Sequence, residues 1–426
     1  MKKRFSLVFV LVALILLGTL ILSSCGLPTR LILGSRPNST EGSEDAEYGD
    51  DNTANNDNNQ QGGQSSDGNV IQNTIVIEGE STDVSYAAAA GLRSSVSILA
   101  EYPNEGYSAG SGVVVSYDNG VAYVITNYHV VYHNGKICSD ISVFLFGMQS
   151  IDYAIPATYL GGSAYYDIAV LRIENSSILN KSIESGAVTP VKIADSDTVA
   201  PGNTAIAIGA PGVADDTVLT NISVTSGVVS VASEYITMSS INGVSETEFR
   251  VIRIDTAVNS GNSGGGLFNA KGELVGIVNA KIATTDVENI AYAIPSNVVK
   301  AVCANIIDYC EGTDRTSVMR AIVGITVAVN SLYTEYDEES GYVKTYEEIM
   351  IQQVTEGSLA DGLFMSDDVI KSIQVGDRTV EVKRMYHLID TMLYARVGDK
   401  IIATVIRDGK ELQLTITITE DCLTEY

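Results

Sequence analysis

The sequence predicts a mainly β protein, because its apolar residues are grouped in short runs. From Thr74 onward, these runs are rich in Val, Ile and Tyr and are separated by Gly, Asn, Asp and Ser. Such spacing is typical of β-sandwiches and β-barrels. One clear helical pattern, AYAIPSNVVKAVCANIIDYC, follows, and Pro295-Ser296-Asn297 marks its start. The predicted strands of this first folded unit are NTIVIEG, SSVSILAEY, GSGVVVSY, VAYVITNYHVV, DISVFLF, DIAVLRI, TAIAIGAP, TSGVVSVAS, FRVIRID and ELVGIVNAKI.

The composition divides the chain of 426 residues into four segments. A chain of this length can form one large core or two to three ordinary domains. We expect an export signal or anchor in residues 1–25 and a linker in 26–73. A first folded domain is expected in 74–311 and a smaller one in 319–420.

The smaller C-terminal unit mixes strand and helix patterns. RAIVGITVAV and EEIMIQQV are typical of strands, and VKRMYHLIDTMLYARV is typical of a helix. The segment DKIIATVIRDGKELQLTITI predicts a β-hairpin, because Asp408-Gly409 interrupts two alternating runs.

The first 25 residues have the pattern of an export signal. MKKR is positively charged, the run from Phe5 to Leu22 is apolar, and small residues precede Cys25. The quartet Leu22-Ser23-Ser24-Cys25 resembles the bacterial lipobox, in which the cysteine is lipidated. A run of about 18 apolar residues is also long enough to cross a bilayer as an uncleaved anchor. Both interpretations tether the remaining chain to a membrane, outside the cytoplasm.

The stretch from about Ser35 to Asn73 consists mostly of Asn, Gly, Ser, Gln and acidic residues. Such a segment buries too little apolar surface to offset its conformational entropy. We therefore predict a disordered, acidic linker that holds the folded part away from the membrane.

The charge of the chain excludes one class of partner. Its formal net charge is −26 at pH 7, whereas proteins that bind nucleic acid neutralise phosphates with Lys and Arg. We expect no nucleic-acid partner.

The cysteines outside the signal do not predict a metal site or a disulfide. No two of them form a CxxC pair, which argues against zinc. Cys303 and Cys310 lie seven residues apart in the predicted helix, about 10 Å, which is too far for a disulfide. We expect the four, Cys138, Cys303, Cys310 and Cys422, to be small buried apolar residues.

The run Gly261-Asn262-Ser263-Gly264-Gly265 presents a serine between glycines. It matches both the G-x-S-x-G turn of α/β-hydrolases and the G-[DN]-S-G-G pattern of chymotrypsin-like proteases. The first needs a helix after the serine and a catalytic histidine later in the chain. Instead, Ser263 is followed by a strand, a turn and another strand, so the sequence argues against an esterase of that fold.

The second pattern requires histidine, aspartate and serine in that order along the chain. His129 lies at the end of VAYVITNYHVV, and Asp167 opens the run DIAVLRI. Together with Ser263 they form the candidate triad.

The motifs around these three residues resemble those of the HtrA (Deg) family of trypsin-like serine proteases. The matches are AGSGVVV, VITNYHVV, YDIAVLRI, AIAIGAP, TSGVVS, IDTAVNSGNSGGGLFN and AYAIPSNVV, which occur in the family's order. The resemblance implies a chymotrypsin-like double β-barrel. It makes His129 the general base, Asp167 its orienting partner and Ser263 the nucleophile. The N–H groups of Gly261 and Ser263 would form the oxyanion hole.

Two residues depart from the family pattern. Ser260 and Gly266 stand where the family commonly has proline, and both substitutions loosen the loop that carries the oxyanion hole. The resemblance thus leaves room for a weaker or more switchable enzyme.

The resemblance also predicts the pocket for the residue before the cut, called S1. Ala257 is six residues before the serine, at the base of that pocket, and Val275 and Ile277 would lie on the facing strand. A small, uncharged pocket favours Val or Ala over Lys or Arg.

The C-terminal unit resembles a PDZ domain, a β-sandwich-like fold with two helices. Its matching motifs are VTEGSLADGLF, DDVIKSI and VGDKIIATVIRDGKELQLTITI, although Asp367 stands where a glycine usually lies. The resemblance implies that N–H groups around Val323, Gly324 and Ile325 bind the carboxylate of a peptide C-terminus. His387 would lie on the helix facing the groove, and we interpret it as an ordinary exposed histidine.

No cofactor or metal ion is expected. His129 and His133 have the spacing of a helical zinc pair, but Val130 replaces the glutamate of that motif and the surroundings are strand-like. We therefore interpret His133 as a surface loop residue.

These observations predict a membrane-tethered serine endopeptidase of the cell envelope that cleaves unfolded or misfolded polypeptides. The family resemblance implies a homotrimer and a PDZ domain that binds peptide C-termini. The alternative is a catalytically weak or inactive protein that binds peptides through its PDZ domain and acts as a chaperone.

Overall fold

The computed structural model describes residues 84–103, 105–211, 213–215, 218–219, 221–239, 241, 246–280 and 290–426. The predicted export signal, the lipidation site at Cys25, the linker and the run NTIVIEG lie outside these residues. The described residues belong to one unit, Thr74–Tyr426.

The first half of this unit forms a closed, antiparallel β-barrel with the strand order β1-β2-β3-β8-β7-β6. Alternating apolar residues such as those of IAVLRIE fill its interior, which is why the sheet closes on itself. A short helical turn, α2, follows β3, and the small hairpin β4-β5 follows α2. The elements are α1 (Val84–Leu92), β1 (Ser95–Tyr102), β2 (Gly106–Asp118), β3 (Val121–Thr126), α2 (Tyr128–Val131), β4 (Tyr132–His133), β5 (Lys136–Ile137), β6 (Asp140–Leu145), β7 (Ile155–Ser163), β8 (Ile168–Glu174) and α3 (Ser177–Glu184).

A second closed barrel follows, with the strand order β12-β13-β16-β15-β14-β9. β14 and β15 form a hairpin, and β14 also pairs with β9. The elements are β9 (Thr204–Gly209), β10 (Val213–Asp215), β11 (Val218–Leu219), β12 (Ser223–Ser239), β13 (Glu246–Ile254), β14 (Gly266–Phe268), β15 (Leu274–Asn279), β16 (Ala291–Pro295) and the helix α4 (Ser296–Cys310).

A shared apolar core joins the two barrels. It contains Val113 and Ile168 of the first barrel and Ile208 and Phe268 of the second, all nearly inaccessible to water. One face of α4, with Val302 among its residues, closes this core. Burial of such side chains stabilises each by about 1.5–3 kcal/mol, so the barrels are held in one fixed arrangement.

The C-terminal unit is built on a sheet with the strand order β18-β19-β20-β22-β23, and β21 pairs with β20. Its own apolar core contains Ile349, Ile370 and Val405. The elements are β17 (Met319–Ala321), β18 (Ile325–Asp337), β19 (Tyr342–Val354), β20 (Val369–Val375), β21 (Arg378–Glu381), α5 (Met385–Met392), β22 (Lys400–Arg407), β23 (Lys410–Thr417) and β24 (Leu423–Glu425).

The mainly β prediction and the double barrel implied by the resemblance are confirmed. The hairpin at Asp408-Gly409 is confirmed as well, since β22 and β23 pair on either side of two residues with positive φ. Asp367 has a φ of +71°, a conformation that glycine adopts without strain and aspartate tolerates. This explains why a glycine is usual at that position.

Among the elements that the sequence analysis did not predict are α1, α3 and β7. α1 contains the run of alanines at 87–90, which have the highest helix propensity. Helix α3 is polar, and Ser176 caps its first turn, since the Ser176 hydroxyl accepts from the Leu179 N–H. β7 contains Pro156 and a pair of glycines, which are depleted in strands and hide its pattern.

The four cysteines within the described residues, Cys138, Cys303, Cys310 and Cys422, are free thiols. Burial raises the pKa of Cys303 to about 12 and that of Cys310 to about 11, so both stay protonated. The prediction of buried apolar cysteines is confirmed for these two and for Cys138, but Cys422 is partly exposed.

Within the described ranges, none of the helices is long and apolar enough to cross a membrane.

A cluster of charged side chains joins α5 of the C-terminal unit to the second barrel. Arg250 on β13 is only 8% exposed and donates to Asp390 at 2.6 Å and to Asp197 at 2.5 Å. The Tyr386 ring lies 3.4 Å from the Arg250 guanidinium carbon, and His387 Nε2 lies 3.5 Å from an Asp197 oxygen. The prediction of an ordinary exposed histidine at 387 is wrong, because α5 packs against the barrel.

The two carboxylates of this cluster titrate in opposite directions. Burial raises the pKa of Asp390 to about 6, since removal of water outweighs the attraction of Arg250. For Asp197, burial also acts to raise the pKa, but the hydrogen bond from His387 and the charge of Arg250 outweigh it and lower the pKa to about 2.

The raised pKa of Asp390 predicts a pH-dependent stability. Between pH 3.8 and about 6 the folded state holds the Asp390 proton more tightly than the unfolded state, so stability falls as pH rises through this range. We expect the free energy of unfolding of the wild type, relative to Asp390→Asn, to rise by about 2 kcal/mol as pH falls from 7 to 4.

Urea unfolding at several pH values measures this difference. The variant Asp314→Asn, which removes an exposed carboxylate, should keep the wild-type slope. Parallel curves for wild type and Asp390→Asn would contradict the expectation.

Candidate active site

His129 and Asp167 are held together at the rim of the first barrel. The α2 turn carries His129, and its ring Nδ1 lies 2.7 Å from Asp167 Oδ2. The backbone N–H of His129 donates to the other carboxylate oxygen at 2.9 Å. Because an ionised carboxylate only accepts hydrogen bonds, Nδ1 carries the proton and Nε2 is free to accept one.

The conformation and burial of the Asp167 backbone hold its side chain in place. It precedes β8, has a φ of +49° and is fully buried. Its carbonyl oxygen accepts from the Asn127 amide at 2.8 Å. This placement aims the carboxylate at the turn that carries His129.

Ser263 lies in the loop between β13 and β14, which two groups of hydrogen bonds hold in place. On the second barrel, Gly264 N–H donates to Val278 O at 3.0 Å and Val278 N–H donates to Gly265 O at 2.8 Å. On the first barrel, Ser111 N–H donates to Ser263 O at 2.8 Å, and the Ser111 hydroxyl donates to Gly261 O at 2.7 Å. The serine loop is therefore clamped between the barrels.

The N–H groups predicted to form the oxyanion hole are available for a ligand. Within the described residues, the N–H of Gly261 and that of Ser263 donate to no other group. Gly261 has a φ of +94°, which glycine adopts at no steric cost. Two N–H groups of this kind, two positions apart in one tight loop, can together bind a developing oxyanion.

The Ser263 hydroxyl and the His129 ring are not hydrogen-bonded in this structure. Among the described residues, the Ser263 Oγ accepts from the Ala280 N–H at 3.3 Å. Proton transfer from Ser263 to His129 requires a direct hydrogen bond between them, which in unliganded sites often forms only with substrate.

The three residues predicted for the S1 pocket do not come together. Ala257 is exposed, whereas Val275 and Ile277 are buried in two different apolar clusters. A bulge in the β14-β15 pairing places their side chains against separate cores. The assignment of Val275 and Ile277 to one open pocket with Ala257 is therefore corrected.

Ser260 and Gly266 differ in how firmly they are held. Ser260 is exposed at the tip of the serine loop. Gly266 is buried in β14, where it pairs with Ile277 on one side and Ile208 on the other. Of the two departures from the family pattern, only Ser260 is exposed to solvent.

The predicted carboxylate-binding residues of the C-terminal unit lie at the start of β18. Gly324 has a φ of +88° and its carbonyl accepts from Thr355 N–H at 2.8 Å, while Val323 O accepts from Ala360 N–H. Ile325 opens β18, which is the edge strand of its sheet. The N–H groups of Val323 and Gly324 donate to none of the described residues.

His133 is exposed on the β4-β5 hairpin, as predicted. In the part of the chain that the structure describes, no group of three or more His, Cys, Asp or Glu side chains is placed to hold a metal ion.

Sequence reasoning missed the residues that support the candidate triad. Ser111, Asn127 and Asn279 are buried and each donates a hydrogen bond to the serine loop or to Asp167. Ser111 belongs to the motif AGSGVVV, and Asn127 to VITNYHVV, so position within these motifs was the available signal. Asn279 had no such signal.

The contact between the serine loop and the first barrel can be tested at Gly264. Gly264 and Gly312 both have positive φ, +83° and +69°. A Cβ on Gly264 would overlap Ser111 O and Thr126 Oγ1, whereas one on Gly312 would have open space. We expect Gly312→Ala to cost about 1–2 kcal/mol and Gly264→Ala to cost about 1–3 kcal/mol more.

The measurement is the free energy of unfolding in urea for both variants. If both variants lose the same free energy of unfolding, the backbone at Gly264 is not in close contact with the first barrel.

Known proteins are similar to this chain in sequence. A trypsin-like peptidase domain matches residues 110–277. The chain is 31% identical over 324 residues to the serine protease Do-like HtrA of Bacillus subtilis (strain 168), covering 73% of this chain and 64% of that protein. It is 32% identical over 325 residues to the Do-like HtrA of Lactococcus lactis subsp. cremoris (strain MG1363), covering 74% of this chain and 71% of that protein.

A solved structure supports the fold. The HtrA-type protease AlgW with tripeptide superimposes with a TM-score of 0.52 at 24% identity, covering 80% of this chain and 97% of that one.

Proposed function

The chain belongs to the HtrA family of trypsin-like serine proteases, and from this premise we propose that it is an endopeptidase that cleaves unfolded or misfolded polypeptides outside the cytoplasm. The observation that carries the proposal is the His129–Asp167 pair beside a serine loop clamped between the two barrels. These residues are of the types that serine proteases use as base, orienting acid and nucleophile.

The reaction follows from the roles of these groups. His129 Nε2 takes the proton of Ser263 as the hydroxyl attacks the peptide carbonyl, and Asp167 stabilises the resulting imidazolium. The N–H groups of Gly261 and Ser263 bind the negative oxygen of the tetrahedral intermediate. His129 then donates its proton to the leaving amine, and water releases the acyl group by the same route.

The substrate is an extended, unfolded segment, because only a peptide whose backbone groups are free can pair as an added strand with the protease. The preference for small aliphatic residues before the cut is inferred from Ala257 alone. Because Ala257, six residues before Ser263, carries no carboxylate, this position does not favour substrates with Lys or Arg before the cut.

The C-terminal unit acts as a PDZ domain that binds peptide C-termini at Val323, Gly324 and Ile325. Its edge strand β18 is open to an added strand. Binding is transmitted to the protease through α5, since Asp390 on that helix is paired with Arg250. Arg250 lies on β13, the strand that leads into the serine loop.

The protein is held at the membrane by its N-terminus, through a lipid on Cys25 or an uncleaved anchor. Residues 26–73 form the acidic linker to the protease, residues 74–311 the protease domain and residues 319–420 the PDZ domain. The family resemblance supports a homotrimer.

A second candidate function is a weakly active or inactive peptide-binding chaperone. Two observations favour it, namely the absence of a hydrogen bond between Ser263 and His129 among the described residues and the exposed Ser260 in the oxyanion loop.

Cleavage of unfolded casein separates the two functions. We expect Ser263→Ala to lower the cleavage rate at least about a thousandfold, because no other group replaces the nucleophile. Ser226→Ala, which removes an exposed hydroxyl on β12, should cleave at the wild-type rate. A serine-reactive phosphonate should label Ser263, as detected by mass spectrometry. If wild type and Ser263→Ala are equally inert and no label forms, the chaperone function is favoured.

Peptide binding at the C-terminal unit should change the cleavage rate. We expect a peptide with a free C-terminal carboxylate to change casein cleavage by about fivefold or more, whereas its C-terminal amide has no effect. Asp390→Asn should reduce this response, because the variant loses the ion pair with Arg250. Equal responses to acid and amide would argue against carboxylate binding.

A further inference from the structure

Asn279 joins the second barrel to the acid of the first. It is the last residue of β15 and is only 1% exposed. Its side-chain Nδ2 donates to Asp167 Oδ2 at 2.7 Å. That oxygen also lies 2.7 Å from His129 Nδ1, so two donors from different barrels converge on one carboxylate atom.

The orientation of the Asn279 amide follows from this contact. A carboxylate oxygen accepts hydrogen bonds and cannot donate them, so the NH₂ group must face Asp167. Among the described residues, the Asn279 Oδ1 is then buried without a hydrogen-bond partner. A side chain that only fills space would not need a polar group here, since a buried, unpaired acceptor is unfavourable. The amide is therefore explained by the hydrogen bond it donates to Asp167.

The backbone around Asn279 holds the nucleophile as well. Val278 exchanges hydrogen bonds with Gly264 and Gly265, the residues that follow Ser263. The N–H of Ala280 donates to the Ser263 hydroxyl. The end of β15 thus contacts both the serine loop and, through Asn279, the acid.

We propose that Asn279 is a positioning residue that holds the Asp167 carboxylate, correctly turned, in register with Ser263. The inference rests on the proposed roles of His129, Asp167 and Ser263. The Asn279 amide adds a second hydrogen bond to Asp167 Oδ2, and its backbone position links that carboxylate to the strand that pairs with the serine loop. Loss of the amide would leave His129 poorly oriented toward Ser263.

Two substitutions of full-length protein separate this role from simple packing. Asn279→Leu keeps the branching and the heavy-atom count of the side chain and removes the donor. Asn279→Ser leaves a smaller side chain but supplies a hydroxyl, which can donate to Asp167 directly or through a water molecule. A positioning role predicts that the serine variant is the more active of the two, whereas a packing role predicts the opposite order.

The matched control is Asn203→Leu. Asn203 lies in the turn before β9 of the same barrel, and its side-chain Oδ1 accepts from Ala200 N–H at 2.8 Å. It touches none of the three candidate catalytic residues, so its variant should keep the wild-type kcat once the folded fraction is measured.

Steady-state cleavage of a fluorogenic peptide gives the first readout. For Asn279→Leu we expect kcat to fall by about ten- to a hundredfold, the range typical of a hydrogen bond to a charged group. KM should stay within about twofold, because Asn279 contacts the acid and not the substrate. Asn279→Ser should recover at least about a third of the loss in log kcat.

The histidine rings give a readout that does not depend on turnover. The chain contains three histidines, so ¹⁵N-histidine labelling yields three ring systems, and His129→Gln identifies the signal of His129. We expect its Nδ1–H to exchange with water at least about tenfold faster in Asn279→Leu than in wild type, because the accepting carboxylate is no longer held. Asn203→Leu should show the wild-type exchange rate.

The outcomes of the two readouts are distinct. A wild type that neither cleaves peptide nor reacts at Ser263 would overturn the proposed function, and the histidine exchange would still decide the role of Asn279. Unchanged exchange in Asn279→Leu, or a leucine variant as active as the serine variant, would overturn the positioning role.

Discussion

The contact between the serine loop and the first barrel is the constraint on which the rest of the site depends. His129 and Asp167 belong to one barrel and Ser263 to the other, so their chemistry requires the barrels to meet at a fixed distance. Gly264 permits this approach because it carries no side chain where the loop lies against Ser111 and Thr126. The apolar core between the barrels supplies the stabilisation, and the hydrogen bonds of Ser111 supply the alignment.

The strand β15 takes part in both aspects of this arrangement. Its buried side chains contribute to the barrel cores, and its backbone pairs with the residues beside Ser263. Its last residue reaches the acid of the opposite barrel. A small shift of this strand would move the nucleophile and release the acid at once, because both are bonded to adjacent residues. The site is thus rigid at its centre, while Ser260 and Ala257 lie on exposed backbone.

The C-terminal unit is joined to the protease through a buried arginine. Arg250 balances two carboxylates, one from each unit, and stacks on Tyr386. A buried charge of this kind is costly unless each partner remains in place. The arrangement couples the position of α5 to that of β13, and β13 leads directly into the serine loop. In the proposed function, this is the route by which a ligand of the C-terminal unit acts on the strand that precedes Ser263.

The sequence by itself determined the mainly β class, most strands, the helix α4 and the three candidate catalytic residues. These features are local, since alternating apolar residues, turn residues and short motifs express them within a few positions. Helix α1, strand β7, the burial of His387 and the separation of Val275 from Ile277 depended on the tertiary structure. So did the contacts of Ser111, Asn127 and Asn279, because each joins residues far apart in the chain. Only folding decides which distant side chains meet, and no local pattern records that a buried amide must face a particular carboxylate.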